Sequence, residues 1–357
     1  MLAQLTLQNF RNFSACEIPF AGGATFFCGR NGQGKTNLLE AVYYLSALRS
    51  FRQTSAPQLV RAGASGFELS ATLAGPSEDR LRVIYDESER TRLLEVNGNR
   101  IGRGVDFAGR LNCVILHGAD LRLARGRHPE RLRCLDFSIA QIEPGYLQIL
   151  ARFQRSLKHR NAALKQNVSL AELDALDENY AAAAAAVVDA RRRHWPDLSA
   201  RLTAAYDAIS RSAESLGASF ESEVDGSVFQ KICRMRPAEL DAGVSLVGPH
   251  RDAVHLTLRG LSVTHAGSEG QARSIALAFK IAQARFIRDH LGRPPVLLID
   301  DVWGELDEAR REGLEMLMAE SPQILLTSTD VSIRGIAAIA AGAAVWEVVS
   351  GTVKRGP

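Results

Sequence analysis

This 357-residue chain is poor in cysteine and in aromatic side chains and has no long apolar run, and each scarcity closes off a class of protein. Cys16, Cys28, Cys113, Cys134 and Cys233 are odd in number, scattered and free of C-x-x-C spacing. That argues against a disulfide framework or a cysteine zinc site and for a reducing cytoplasm. No stretch approaches the ~20 apolar residues of a membrane-spanning helix. The opening Met1-Leu-Ala-Gln-Leu-Thr-Leu7 lacks the basic and apolar blocks of a signal peptide, so no membrane partner is expected. Aromatics make up 6% and form no run suited to base stacking. There is no solenoid repeat, and Ala181–Ala186 is the only low-complexity patch. Neither sign of charge predominates, with 43 Lys/Arg against 40 Asp/Glu for a net +3, but the charges are unevenly spread. Between Leu121 and Val168 ten Lys/Arg, including Arg127, Arg131 and Arg160, face only Glu130, Asp136 and Glu143, which suggests a polyanionic partner.

What is present is more telling. Gly29-Arg30-Asn31-Gly32-Gln33-Gly34-Lys35-Thr36 matches the phosphate-loop pattern of Gly, four residues, Gly-Lys-Thr. Ala24-Thr-Phe-Phe-Cys28 before it reads as a buried strand, and Leu38, Val42 and Leu45 after it recur at helical spacing. Strand, glycine loop, helix is what phosphate binding needs. Glycines let backbone N–H groups wrap the anion, and the helix start adds partial positive charge. Lys35 would neutralise the β/γ-phosphates, and the Thr36 hydroxyl would ligate Mg²⁺. A ligand-free glycine turn would not need the lysine, the threonine and both flanks together.

Much later, Pro295-Val-Leu-Leu-Ile299 reads as a strand ending in Asp300-Asp301. Asp300 is the expected metal residue, and Asp301 is placed to orient or deprotonate an attacking water. A strand-end aspartate could instead cap the next helix. Gly267-Ser-Glu-Gly-Gln271 opens a helical run to about His290. Ser268 and Gln271 have capping-box spacing, which accounts for a helix start alone. The alternative is that Ser268, Gly270 and Gln271 present free N–H groups to a second anion. A phosphate loop, a Ser-x-Gly-Gln helix start, an Asp-Asp strand and then Glu305-Leu-Asp307 are together characteristic of ABC-type ATPases.

The expected fold is therefore α/β, an ABC/SMC-type P-loop ATPase head with an inserted helical arm. Its parts are residues 1–117, a helical insertion at 118–217, and 218–357 returning to the head. The first part reads as β-rich, with a hairpin at Asn9-Phe-Arg-Asn12 and a turn at Asn97-Gly98. In the insertion one helix should run from Tyr146 to Gln166 and another from Leu173 to Trp195. Pro196 should interrupt, with a third helix from Asp197 towards Gly217. Arg152, Arg155 and His159 share one face of the first helix, with Lys158 and Lys165 on a neighbouring one. Arg152, Arg155 and Lys158 are the candidate DNA contacts, although a solvated face would explain any single one. Arg191-Arg-Arg193 is a second candidate, or a hydrated helix end. Backbone recognition with little sequence preference is expected.

Beyond these motifs the chain resembles the bacterial RecF family of recombination mediators, small relatives of the SMC heads. The stretches that carry the likeness span nearly the whole sequence. They are Asn9-Phe-Arg-Asn12, Thr36-Asn-Leu-Leu-Glu-Ala41, Ser50-Phe-Arg52, Arg160-Asn-Ala-Ala-Leu164, Gly248-Pro-His-Arg-Asp252 and Leu298-Ile-Asp-Asp301 with Glu305-Leu-Asp307. The resemblance implies a head-to-tail homodimer closed over ATP and Mg²⁺, with Ser268, Gly270 and Gln271 of one copy completing the other's γ-phosphate site. It implies slow, DNA-stimulated ATP hydrolysis and binding of single-stranded, gapped and duplex DNA by the dimer. It further implies association with RecR and, with RecO, loading of the RecA recombinase.

Several positions depart from the wider superfamily. Gly267 stands where signature helices usually carry Leu, and Asp301 stands where Glu is usual, a shorter side chain that predicts slow turnover. His117-Gly-Ala-Asp120 replaces the glutamine loop, and Thr327-Ser-Thr329 the switch histidine. His250 and Arg251 read as a hydrogen-bonded turn. Two other readings compete. The nucleotide-binding subunit of an ABC transporter would set Lys35 and Asp300 much closer in sequence and carry the switch histidine. A P-loop kinase would have no use for Ser268-Glu-Gly-Gln271.

Overall fold

Apolar stretches without polar alternation form the middle of a six-stranded sheet, as strands covered on both faces should. Its order is Thr352–Arg355, Ala344–Val349, Gly23–Cys28, Gln323–Ser328, Val296–Asp300, Cys113–His117. Neighbours are parallel except for the hairpin of the first two. The computed structural model describes all residues except 76–77, 127, 167, 211–213, 225, 227, 330–341 and 357, and the side chains of 265 and 266. The sheet thus joins strands from both ends of the chain, with the helical stretch between them.

A second sheet is antiparallel, in the order Phe13–Pro19, Leu2–Phe10, Gly66–Leu73, Asp79–Asp86, Thr91–Val96, Asn99–Ile101. Here burial alternates residue by residue, so only one face is apolar. The helix Lys35–Ala47 lies between the two sheets. Its Leu38, Leu39, Val42 and Leu45 share a core with Leu5, Leu69 and Val83 on one side and Phe27, Leu298 and Leu325 on the other. Each such buried side chain contributes about 1.5–3 kcal/mol, which anchors the phosphate-loop helix to both sheets. The expected hairpin is present, with Phe10 opposite Phe13 and positive φ at Asn9 and Arg11.

The other face of the parallel sheet is covered by helices. Glu269–Leu291 packs there together with Leu170–Ser210, and the small side chains Ala181, Ala183 and Ala184 are buried on the latter. Tyr146–Gln166 forms as expected, but the next expectation fails. Leu170–Ser210 is one 41-residue helix with Pro196 inside it, not two helices. Proline in a helix interior costs about 3 kcal/mol. Here Trp195, Leu198 and Leu202 are buried on either side of the break, and their packing outweighs the local cost. The expected end of that segment, beyond Ser210, falls partly on 211–213 and so outside the described residues, and a strand, Leu216–Glu221, follows. That strand pairs with Ala253–Leu258, which also pairs with Leu261–Ser262.

Two arginines counted in the basic stretch are interior. Arg160 is fully buried, donating to Asp177 at 2.7 Å, Glu239 at 2.6 Å and Ser245 at 2.8 Å. Arg131 is buried against the carbonyls of Leu123, Ala124 and Val254. Arg127 lies outside the described residues. Nor is Arg191 at a hydrated end: it is buried between Asp136 and Asp252, at 2.8 and 2.7 Å. The Gly248–Asp252 turn docks on the same helix, as expected of a structural turn. Tyr180 donates to the Val247 carbonyl at 2.6 Å, and His250 Nε2 lies 3.0 Å from the Ser245 carbonyl. A side chain on Gly248 would collide with the Tyr180 hydroxyl, so only glycine fits there.

Candidate nucleotide site

The loop between Gly23–Cys28 and Lys35–Ala47 owes its course to glycine. Gly29, Gly32 and Gly34 all have positive φ, which L side chains rarely adopt. Two of them are also pinned sterically. A Cβ on Gly29 would meet the Val348 carbonyl at 2.4 Å, and one on Gly34 would meet the Asn12 amide group at 2.7 Å. Asn12 Nδ2 donates to the Gln33 carbonyl at 2.8 Å, and the Ser350 and Gly351 amides donate to Gln33 from the far end of the chain. The hairpin and the last strands therefore clamp the loop, with Arg30 and Asn31 exposed between the clamps. The Lys35 ammonium folds back on the loop and donates to the carbonyls of Gly29 and Arg30 at 2.6 and 3.1 Å.

Strand pairing brings the acids to this loop. Thr36 Oγ1 donates to Asp300 Oδ1 at 2.8 Å across 264 positions of sequence, and Thr327 Oγ1 reaches the same oxygen at 2.8 Å. Thr327, where a switch histidine could stand, instead orients Asp300. Asp301 follows with φ of 51°; its side chain is exposed and forms no hydrogen bond among the described residues. His117 ends the neighbouring strand, opposite Asp300 in register. Burial lowers its pKa and Asp120 partly restores it, so the ring is neutral near neutral pH. No sequence signal beyond its place after Cys113–Leu116 points to it.

Glu40, in the middle of the phosphate-loop helix, was not singled out from sequence either. It is fully buried and receives Arg11 through two hydrogen bonds of 2.8 Å, as well as the Ser50 hydroxyl. The Arg52 guanidinium stands 3.8 Å away. Asn9-Phe-Arg-Asn12 and Ser50-Phe-Arg52 thus converge on one carboxylate and tie hairpin, helix and following loop together.

Ser268, Gly270 and Gln271 lie elsewhere. Ser268 caps Glu269–Leu291: its hydroxyl accepts from the Gln271 amide at 3.1 Å, and Gln271 Oε1 accepts from the Ser268 amide at 2.7 Å. Gln271 Nε2 donates to Glu214, and Gly270 leaves room for the Arg310 guanidinium. Among the described residues none of these contacts reaches the chain's own phosphate loop. Ser268 and Glu269 are exposed at the helix tip. Arg152, Arg155 and Lys158 are each exposed on Tyr146–Gln166.

Known proteins match this arrangement along its length. A family model described as the RecF/RecN/SMC N-terminal domain matches residues 1–336. The chain belongs to the RecF family. A DNA replication and repair protein RecF from a Cyanothece species is 35% identical over 92% of this chain and 91% of its own length. The RecF of Geobacillus thermodenitrificans is 34% identical over 99% and 98%. A solved structure of the recombination mediator protein RecF-ATPrS in the RecFOR pathway superposes with a TM-score of 0.90 at 26% identity, covering 100% of this chain and 98% of its own. An Smc head domain from Pyrococcus furiosus shares the fold, with a TM-score of 0.56 at 17% identity. The expected ABC/SMC-type head is therefore the fold, and RecF relatives along the whole length disfavour the transporter reading. Among the described residues no helix is long and apolar enough to cross a membrane.

Proposed function

We propose that the chain is an ATP-switched DNA-binding protein of cytoplasmic recombinational repair and replication. One observation carries this: the loop, Thr36 and Asp300 assemble within one chain, while the Ser268 tip stands exposed and apart from them. Such a split site is completed by a second copy, with ATP between loop and tip. Gly29 to Thr36 would hold the phosphates through backbone N–H groups and the first helical turn. Lys35 would exchange its two loop carbonyls for phosphate oxygens. Asp301, unengaged and at the strand end, would orient the water for in-line attack and take its proton.

The donor set suits a hard cation: a hydroxyl and a carboxylate oxygen 2.8 Å apart, rather than a preformed cluster of three acids, histidines or cysteines. Thr36 and Asp300 would hold Mg²⁺, which when bound neutralises the triphosphate's charge. We assign residues 1–117 and 218–357 to the head and 118–217 to the helical arm. Arg152, Arg155 and Lys158 would contact phosphates of single-stranded, gapped or duplex DNA. Association with RecR, and RecA loading together with RecO, are the roles the RecF relationship suggests. Sizing by light scattering tests the switch. ATP should double the mass while ADP does not, and Ser268→Arg should bind ATP yet stay monomeric. A monomeric ATP complex of the unsubstituted chain would defeat the proposal.

A further inference from the structure

A cavity of about 330 Å³ opens near the far end of the phosphate-loop helix, between that helix, His128–Ile142 and Glu269–Leu291. Its size falls in the roughly 300–1,000 Å³ range of small-molecule sites. Its charge is lopsided. Asp120 is committed to the buried Lys280 ammonium at 2.8 Å, and Glu130 to Arg133 at 3.2 Å. Arg49, Arg52 and Arg122 also line it. Arg122 is exposed and forms no ion pair among the described residues. Arg49 lies over the Phe137 ring at 5.5 Å and Arg52 over Phe51 at 5.9 Å, while the nearest acid to Arg52, Glu40, is already saturated by Arg11. The cavity therefore combines cations with aromatic faces, and a ligand with both a phosphate and a flat ring meets both.

We propose that it takes up one nucleotide unit of a single DNA strand, with the phosphate on Arg122 and Arg49 and the base against Phe51. Arginine planes and aromatic rings are how single strands are held irrespective of sequence. Position supplies the rest. Phe51 packs on His117 with ring centroids 5.0 Å apart, and His117 is the register partner of Asp300. A base seated on Phe51 is thus two side chains from the nucleotide site, a route by which an occupied strand could alter turnover. This inference deepens the DNA-binding reading and rests on it.

The test uses the full chain with a non-hydrolysable ATP analogue, reading dimer mass and binding of a fluorescein-labelled oligothymidylate in one sample. Arg122→Glu and Phe51→Leu should keep the dimer mass but bind the strand roughly 10-fold more weakly. The Phe51→Leu loss should vanish on an abasic strand of equal length. Unchanged affinity in both variants, or an equal loss on the abasic strand, overturns the proposal. Displacement of the strand by free dTMP at matching nucleotide concentration overturns it in favour of a mononucleotide site. Should the unsubstituted chain fail to dimerise, the nucleotide-sandwich reading falls, and the same comparison without nucleotide judges the cavity alone.

Discussion

The phosphate loop and the Ser268 tip are both glycine-bearing helix starts, yet they are built in opposite ways. The loop is held from outside by Asn12, Val348, Ser350 and Gly351, and its helix start has no side-chain cap. The tip satisfies its own first amides through a reciprocal capping box, with Glu214 and Arg310 supporting it from behind, and Ser268 and Glu269 stay exposed. An uncapped helix start braced by distant segments is prepared for a ligand. One that satisfies its own amides is a finished surface, suited to meeting another surface. Capping and contact with a second copy are therefore compatible at Ser268, because the residue that closes the box is also exposed.

That contrast can be broken at either end. The largest effect should come from Lys35→Ala, which removes the buried cation of the loop: titration calorimetry should detect no ATP binding, whereas intact binding would mean the loop holds nothing. Next, Asp301→Asn should slow hydrolysis about 100-fold while prolonging the ATP-bound dimer, since a general base contributes about 10²–10⁴. Turnover at the unsubstituted rate would remove Asp301 from the chemistry. The smallest effect should come from the surface. Charge reversal of Arg152 and Arg155 should lower the salt dependence of DNA binding by about 2 in the log–log slope, at unchanged melting temperature. An identical slope would move the contact off this helix. Arg160→Met, on the same helix, should do the reverse, lowering stability by about 3–5 kcal/mol, because buried Glu239 would lose the cation it faces and buried Asp177 would keep only Arg236.

Much of the nucleotide pole was legible because its information is local. The glycines, Lys35 and Thr36 sit at fixed spacing, and apolar strands announce both the loop and Asp300. What sequence could not show is partnership at a distance. Arg160 meets Glu239 across 79 positions, so a basic stretch read along the chain overstated the basic surface. Pro196 looked like a boundary because local cost was visible and the burial of Trp195 and Leu198 was not. The helix Val228–Ala242, which carries Pro237, escaped notice, and so did the strands Ala344–Val349 and Thr352–Arg355, which carry only short apolar patterns. The Asn12 clamp was hidden because an asparagine in a turn usually serves only the turn.

The clamp has a consequence for how the molecule comes into being. Gly34 and Gly351 each lie against Asn12, although Gly351 is made long after the other two. During synthesis the glycine loop emerges early but has nothing to lean on from the other side. That side of the clamp closes only when Ala344–Val349 and Thr352–Arg355 have joined the sheet, so the loop is braced from both sides only in the finished fold.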